Sequence, residues 1–319
     1  MRPPSRSTPT RTAGHRRPPC GPAARHRRSD PGRAALPGRR RGTSAAQLST
    51  NVLLFAIVGY FLLPIWWLIV SATKSNGDLF GSNGFWFGSH FHLADNLTKV
   101  FRHSDGIFSR WLLNSLLYCG VGAVVATLFA AMAGYALAKY PFKGREGVFA
   151  VILGAVLIPP PLLALPLYLL ASSTGVVNTH WSVLIPSAVT PFGVYLARVY
   201  AEASVPDELT DAARVDGAGE LRIFFTIALR LMSPALVTIC LFQFVGIWNN
   251  FFLPLMMLAD DSRWPLTLGL YFWNSQLRDQ PWYDIVVTGS LVSVVPLCIA
   301  FLALQRFWRS GLSAGSLKS

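Results

Sequence analysis

The sequence predicts an all-α membrane protein with six transmembrane helices and both termini in the cytoplasm. Three observations predict it. The 319-residue chain is 52% hydrophobic with only 13% charged residues and has a mean hydropathy of +0.41. Soluble chains carry about 25% charged residues, so this one has too few charges to cover a water-facing surface. Six stretches each supply the roughly 20 apolar residues that a helix needs to cross about 30 Å of hydrocarbon. The basic residues of the short connections concentrate on alternate sides of those stretches.

The six stretches run in order along the chain. The first is Asn51 to Ser71 and the second Trp111 to Ala138. The third covers about Val148 to Ala171 and the fourth about Trp181 to Tyr200. The fifth is Leu231 to Ala259 and the sixth about Tyr283 to Leu304. Each is free of charge at its centre, as expected when a central charge costs several kcal/mol. Proline interrupts many of them, at Pro64, Pro159-Pro160-Pro161, Pro166, Pro186, Pro191, Pro254 and Pro296. In a membrane bundle neighbouring helices satisfy the freed carbonyls, so kinked spans are tolerated. The Pro159–Pro161 run is expected to break or bend the third helix outright.

Orientation follows from the short loops. Lys139, Lys143 and Arg145 lie between spans two and three, and Arg214, Arg222 and Arg230 between spans four and five. Arg306, Arg309 and Lys318 follow span six, whereas Ser172 to His180 holds no Lys or Arg. The connection between spans five and six sets Arg263 and Arg278 against Asp260, Asp261 and Asp279. The basic set, joined by the Arg-rich N-terminus, belongs in the cytoplasm.

The net charge of +13 belongs to a tail. Residues 1–50 hold twelve Arg against one acid, Asp30, which leaves +2 for the remainder. This segment, rich in Arg, Pro, Ser and Gly, cannot bury a core and is expected to be a disordered cytoplasmic tail. A transit peptide, a nucleic-acid-binding arm, a tail held near anionic lipid and an upstream start site all remain open for it. No nucleic-acid partner is expected for the body. Cys20, Cys119, Cys240 and Cys298 show neither a metal pattern nor a disulfide framework. The six His form no HExxH or similar cluster.

Between the fourth and fifth stretches lies DELTDAARVDGAGELRIFFTIAL, Asp207 to Leu229. Pro206 followed by Asp207 and Glu208 is a helix start, with carboxylates at the positive end of the helix dipole. Leu209, Ala212 and Ala213 recur at helical spacing, and Gly217 and Gly219 supply a turn. A second short helix starts near Glu220 and carries Ile223, Phe224, Ile227 and Leu229 toward the fifth span, with Phe224 and Ile227 on one face. By its physics alone this is equally an ordinary amphipathic connection.

Several positions of the segment resemble together the "EAA" loop of ABC-transporter permeases: Asp211, Ala212, Ala213, Asp216, Gly217, Ala218, Phe224, Ile227 and Leu229. Two depart from it, Asp211 in the usual Glu position and Arg230 where the family usually has Pro. The resemblance extends over residues 51–319. YALAKYPFKGR (135–145), PLYLLASSTGVVNTHWSVLIP (166–186), FQFVGIWNNFFLPLMML (242–258), WPLTLGLY (264–271) and the ending LQRFWRSGLSAGSLKS are similar to the shorter, six-helix permease of maltose-type carbohydrate importers.

That resemblance implies the type I ABC importer permease fold in a prokaryotic plasma membrane. It implies a cytoplasmic loop, residues 201–230, that docks on a separate ATPase. Further implied partners are a second, homologous permease, an extracellular or periplasmic solute-binding protein and membrane lipid. The cargo it implies is a sugar or oligosaccharide; another polar solute such as glycerol phosphate, or an ion-coupled secondary transporter, is the alternative. The chain has no GxxxxGK[ST] phosphate loop. No catalytic residue, cofactor or metal is therefore expected on it, and ATP and Mg belong to the partner ATPase.

Two further sets of residues are candidates. Gln243, Asn249 and Asn250 lie inside the fifth apolar stretch, where polar groups face a cavity or another helix. They are expected to line the substrate pathway, or else to make interhelical hydrogen bonds. Asp260 to Trp282 is the expected outer contact with the binding protein, with Trp264, Gly269 and Tyr271 as its candidates. Trp264, Tyr271, Trp273 and Trp282 equally suit an interfacial aromatic belt.

Overall fold

The computed structural model describes residues 44–277 and 282–315. Residues 1–43 lie outside the described residues, and with them most of the expected tail, including Cys20, His15 and His26. Arg278, Asp279 and Lys318 lie outside them too. Among the described residues every regular element is helical.

Helix α1 is Ser44–Ala72. It begins seven residues before the expected start, so Ser44 to Thr50 belong to a helix and not to the tail. Ala45, Ala46, Gln47 and Leu48 contain no Gly or Pro and propagate the apolar run backward. From Gln47 to Trp67 its side chains are exposed, and burial starts near Val70. Two short helices follow on the outer side, α2 (Asn76–Gly81) and α3 (Leu93–Arg102). A turn at His103–Gly106 leads into α4, Ile107–Lys139.

Helix α4 is the centre of the bundle. Gly122, Ala126, Ala130 and Gly134 recur every four residues along its buried side. On α8 (Pro191–Ser204) the matching small residues are Gly193, Ala197 and Ala201. The two backbones approach so closely that a Cβ on Gly134 would lie 2.5 Å from the Ala197 Cβ, and one on Gly193 would lie 3.1 Å from the Ala130 Cβ. This is small-residue packing of the kind that lets membrane helices associate by close van der Waals contact.

The third span is broken as expected. Helices α5 (Arg145–Val156) and α6 (Pro160–Ser173) meet at 105° across the proline run. The fourth consists of α7 (Trp181–Ser187) and α8, interrupted before Pro191, where Thr190 caps α8 by accepting from the Gly193 amide. Next come α9 (Asp207–Val215), α10 (Glu220–Ile223), a π-helical turn at Phe224–Ala228 and α11 (Leu229–Leu231). The chain then bends by 82° into α12 (Ser233–Trp248).

The fifth stretch, expected as one run to Ala259, stops at Trp248. Asn249 and Asn250 form the break, and α13 (Phe252–Met257) follows. The outer connection holds a single turn at Asp261–Arg263 and α14 (Leu266–Ser275). Helix α15 (Tyr283–Gly315) is the sixth span and runs past its expected end at Leu304. Among the described residues four helical stretches are long and apolar enough to cross a membrane, or six when each of the two bent pairs is counted as one span.

Candidate functional site

The segment between spans four and five is a pair of short helices held on the end of α4. Helix α9 starts on Pro206 in extended conformation, and Asp207 and Glu208 occupy its first turn. Val205 and Thr210 are buried and anchor it. Its end is built by backbone hydrogen bonds from Ala218 N to Ala213 O and from Gly217 N to Arg214 O. These two bonds make a Schellman cap, which needs a left-handed residue. Gly217 supplies it, with φ +80°.

The nine expected docking residues divide into two sets. Asp211, Ala212, Asp216 and Gly217 are exposed, and Ala213 and Ala218 are half-buried. Phe224 is turned the other way, only 4% exposed, in a core with Tyr135, Ala197, Ala201, Val205 and Met232. Ile227 and Leu229 are half-buried beside it. Phe224 fastens the segment to the bundle, with its ring packed 5.4 Å from that of Tyr135.

The segment also exposes four apolar residues outside the expected set of nine. Val215 is 88% exposed, Leu221 68%, Phe225 50% and Leu209 48%. The departure at Arg230 has a local explanation. Arg230 is exposed, and the bend into α12 falls at Met232, with Pro234 in the first turn of that helix.

Ion pairs tie the two short helices together and to α4. Lys139 Nζ lies 2.7 Å from Asp207 Oδ1, and the Tyr140 hydroxyl donates to Glu220 Oε2. Arg214 bridges the helices, with Nη1 on Asp211 Oδ1 and Nε on Glu220 Oε1, both at 2.7 Å. The Lys139 ammonium holds the Asp207 carboxyl below the usual carboxylate range. Burial, followed by the hydrogen bond to Glu220, pushes the Tyr140 phenol up. Beside this web Arg198 is buried, bonded to Glu146 at 2.8 Å and Glu202 at 3.0 Å, with its guanidinium 3.9 Å above the Phe149 ring.

At the opposite end of α4 a polar stripe holds the outer loop. Trp111 Nε1 donates to Asp261 O at 2.8 Å. Asn114 Nδ2 donates to Ser262 O and Trp264 O at 2.9 and 3.0 Å. The Tyr118 hydroxyl donates to Arg263 O at 2.8 Å, and Ser115 Oγ accepts from Leu266 N at 2.7 Å. Asn178, at φ +59°, accepts from the amides of Ala259 and Asp260. Backbone groups that would otherwise be orphaned are thereby satisfied.

The candidate outer contacts are placed unequally. Gly269 is buried, and a Cβ on it would fall 2.1 Å from Trp111 Cε3, so it faces the chain's own core. Trp264 is half-buried and donates to Leu258 O at 3.2 Å. Tyr271 is exposed, with its ring 4.6 Å from Phe251. Trp273 is buried in a cluster with Phe108 and Trp111, which removes it from any interfacial belt. In the fifth span Asn249 is exposed and donates to Val245 O, while Asn250 Oδ1 accepts from Leu253 N across the helix break. Both satisfy their own helix ends. Gln243 is half-buried.

Residues 124–313 match the family described as binding-protein-dependent transport system inner membrane component. The chain is 36% identical to the arabinooligosaccharides transport system permease protein AraQ of Halalkalibacterium halodurans, covering 83% of this chain and 94% of that protein. It is 31% identical to the melibiose/raffinose/stachyose import permease protein MelC of Bacillus subtilis, over 87% of this chain and 99% of that one. Its fold is similar to a chain of the crystal structure of a bacterial ABC transporter involved in the import of the acidic polysaccharide alginate. That match has a TM-score of 0.73 at 22% identity and covers 86% of this chain and 100% of the other. An ion-coupled secondary transporter is thereby set aside. With its family, its six spans and its bundle in agreement, the chain belongs to the inner membrane components of binding-protein-dependent transport systems, the multi-pass plasma-membrane permeases of ABC importers.

Proposed function

We propose that this chain is the pore-forming permease subunit of an ATP-driven importer for a sugar or oligosaccharide. ATP and Mg are held by a separate ATPase that docks on α9 to α11. A second, homologous permease completes the pore, and a solute-binding protein delivers cargo to the outer loop. The observation that carries the docking assignment is the paired short helices. They have a Schellman turn at Gly217 and an outward set of Leu209, Val215, Leu221 and Phe225. Exposed apolar side chains clustered on a small element mark a contact surface. The relatives' named cargoes, arabinooligosaccharides and the melibiose series, support a saccharide.

The test is purification of the tagged chain from membranes in mild detergent, beside Val215→Glu/Phe225→Glu. An ATPase and a second permease are expected with the unmodified chain, and loss of the ATPase alone with the double variant. Uptake of labelled arabinooligosaccharide and raffinose by the complete transporter identifies the cargo class. Absence of an ATPase from the unmodified preparation overturns the reading.

A further inference from the structure

We propose that α4 is a rigid strut that couples the cytoplasmic segment to the outer loop, with Lys139 and Tyr140 as positioning residues at one end and Asn114 and Tyr118 at the other. The proposal rests on the transport reading above and adds the route by which closure of the ATPase reaches the binding-protein side. Covalent connection suggests a different route, since α9 to α11 run directly into α12.

Geometry disfavours that direct route. Within the cytoplasmic segment lies a π-helical turn, and between that segment and α12 an 82° bend. Helix α12 then stops after 16 residues at the Asn249–Asn250 break. A push delivered there is absorbed at two joints.

Helix α4 has neither joint. It runs 33 residues without interruption, about 50 Å at 1.5 Å per residue. Among the described spans it is the one without proline. Its inner end grips the first residue of each major cytoplasmic helix, Asp207 of α9 through Lys139 and Glu220 of α10 through Tyr140. Its outer end grips four consecutive residues of the outer loop, Asp261 to Trp264, through Trp111, Asn114 and Tyr118. Between the grips runs the small-residue ridge of Gly122, Ala126, Ala130 and Gly134, with Ala130 and Gly134 against α8 and Gly122 against α7 and Ile247 of α12. Where it meets α8, the Ala130–Gly134 part of the ridge has only small residues opposite it, which suits the small sliding movements of packed helices. Displacement of the cytoplasmic helices therefore moves α4 as a body, and with it residues 261–264.

The experiment uses the full transporter in lipid nanodiscs with its ATPase, second permease and sugar-loaded binding protein. Hydrolysis is measured with and without the binding protein. Lys139→Met/Tyr140→Phe and Asn114→Leu/Tyr118→Phe are both expected to lower the stimulation about tenfold, within the usual range of coupling between sites. Recovery of the ATPase with the chain and basal hydrolysis are expected to stay at the unmodified level. The swap Lys139→Asp/Asp207→Lys is expected to restore stimulation lost in Lys139→Asp. Retention of stimulation by either double variant overturns the strut, as does loss of stimulation in step with loss of bound ATPase.

Should a double variant fail to assemble, spin labels at the exposed positions Leu113 and Phe129 test the rod itself. Sixteen residues of straight helix separate them by about 24 Å. A separation unchanged between nucleotide-free and ATP-bound transporter is expected, and shortening overturns the proposal. If no ATPase accompanies the unmodified chain, the transport reading fails and the strut falls with it, an outcome distinct from failure of the variants.

Discussion

The two ends of α4 hold their loops by opposite means. At the outer end, neutral donors from buried or partly buried side chains bond backbone carbonyls of residues 261–264. At the cytoplasmic end, charged side chains meet in water: Asp207 is 75% exposed while Lys139 is nearly covered, and Asp211 and Glu220 are largely open. Neutral bonds in a packed site are indifferent to salt, and losing one partner leaves a costly orphan. Exposed ion pairs are individually weak and screened by salt. The outer loop is therefore fixed in register by contacts indifferent to salt, while the contacts that orient the cytoplasmic helices are sensitive to it.

The sharpest way to break this contrast is Trp111→Ala. It opens a cavity among Trp264, Trp273 and Gly269 and removes the donor to Asp261 O. A loss of about 3–5 kcal/mol is expected, read as a lower unfolding temperature in detergent. In that background Gly269→Ala is expected to become nearly harmless, whereas alone it overpacks against the indole at a cost of about 1–3 kcal/mol. Non-additivity of the pair checks the contact.

Tyr118→Phe tests the hydrogen bonding without changing packing. It strips the hydroxyl that serves Arg263 O and His180 Nδ1, and about 1–3 kcal/mol is expected to be lost. The same unfolding measurement reads it, and the effect is expected to be insensitive to salt.

On the cytoplasmic side Gly217→Ala forces a Cβ into φ +80°, which costs about 1–2 kcal/mol. Open space surrounds that Cβ, so strain of the turn is the whole effect. The expected result is weaker recovery of the ATPase with little change in recovery of the second permease.

The smallest effect belongs to the Lys139–Asp207 pair. The Asp207 carboxyl is held low by Lys139, so the pair's contribution is present above the ordinary Asp value of 3.8 and lost as pH falls through the lowered folded value. Lys139→Met is expected to raise the Asp207 titration toward its ordinary range, measured by NMR of the carboxyl carbon. Global unfolding is expected to be scarcely altered. A titration that does not move shows the pair unformed in solution.

Much of this protein was legible in the amino-acid order. Six stretches of membrane length without charge at their centres, and the sidedness of Lys139, Lys143, Arg145, Arg214 and Arg222, determined the class, the number of spans and the orientation. The Pro159–Pro161 run announced the break in the third span, and Gly217 announced the turn between the cytoplasmic helices. These are local consequences of hydropathy and backbone sterics, so no distant residue was needed to read them.

What the sequence left open was which way a side chain faces. Phe224 and Phe225 are neighbours of the same type, yet one fills the core beside Tyr135 and the other is half-exposed. Gly269 looked like a loop residue and became the floor beneath Trp111. Asn114 and Tyr118 hold a loop some 145 to 150 residues away, which nothing in their own stretch signals. Asn249 and Asn250 were expected in a continuous helix and became its end. Each of these outcomes depends on contacts between segments distant in the chain. Hydropathy sets only whether a residue avoids water, and the packing of α4 against its neighbours decided against what.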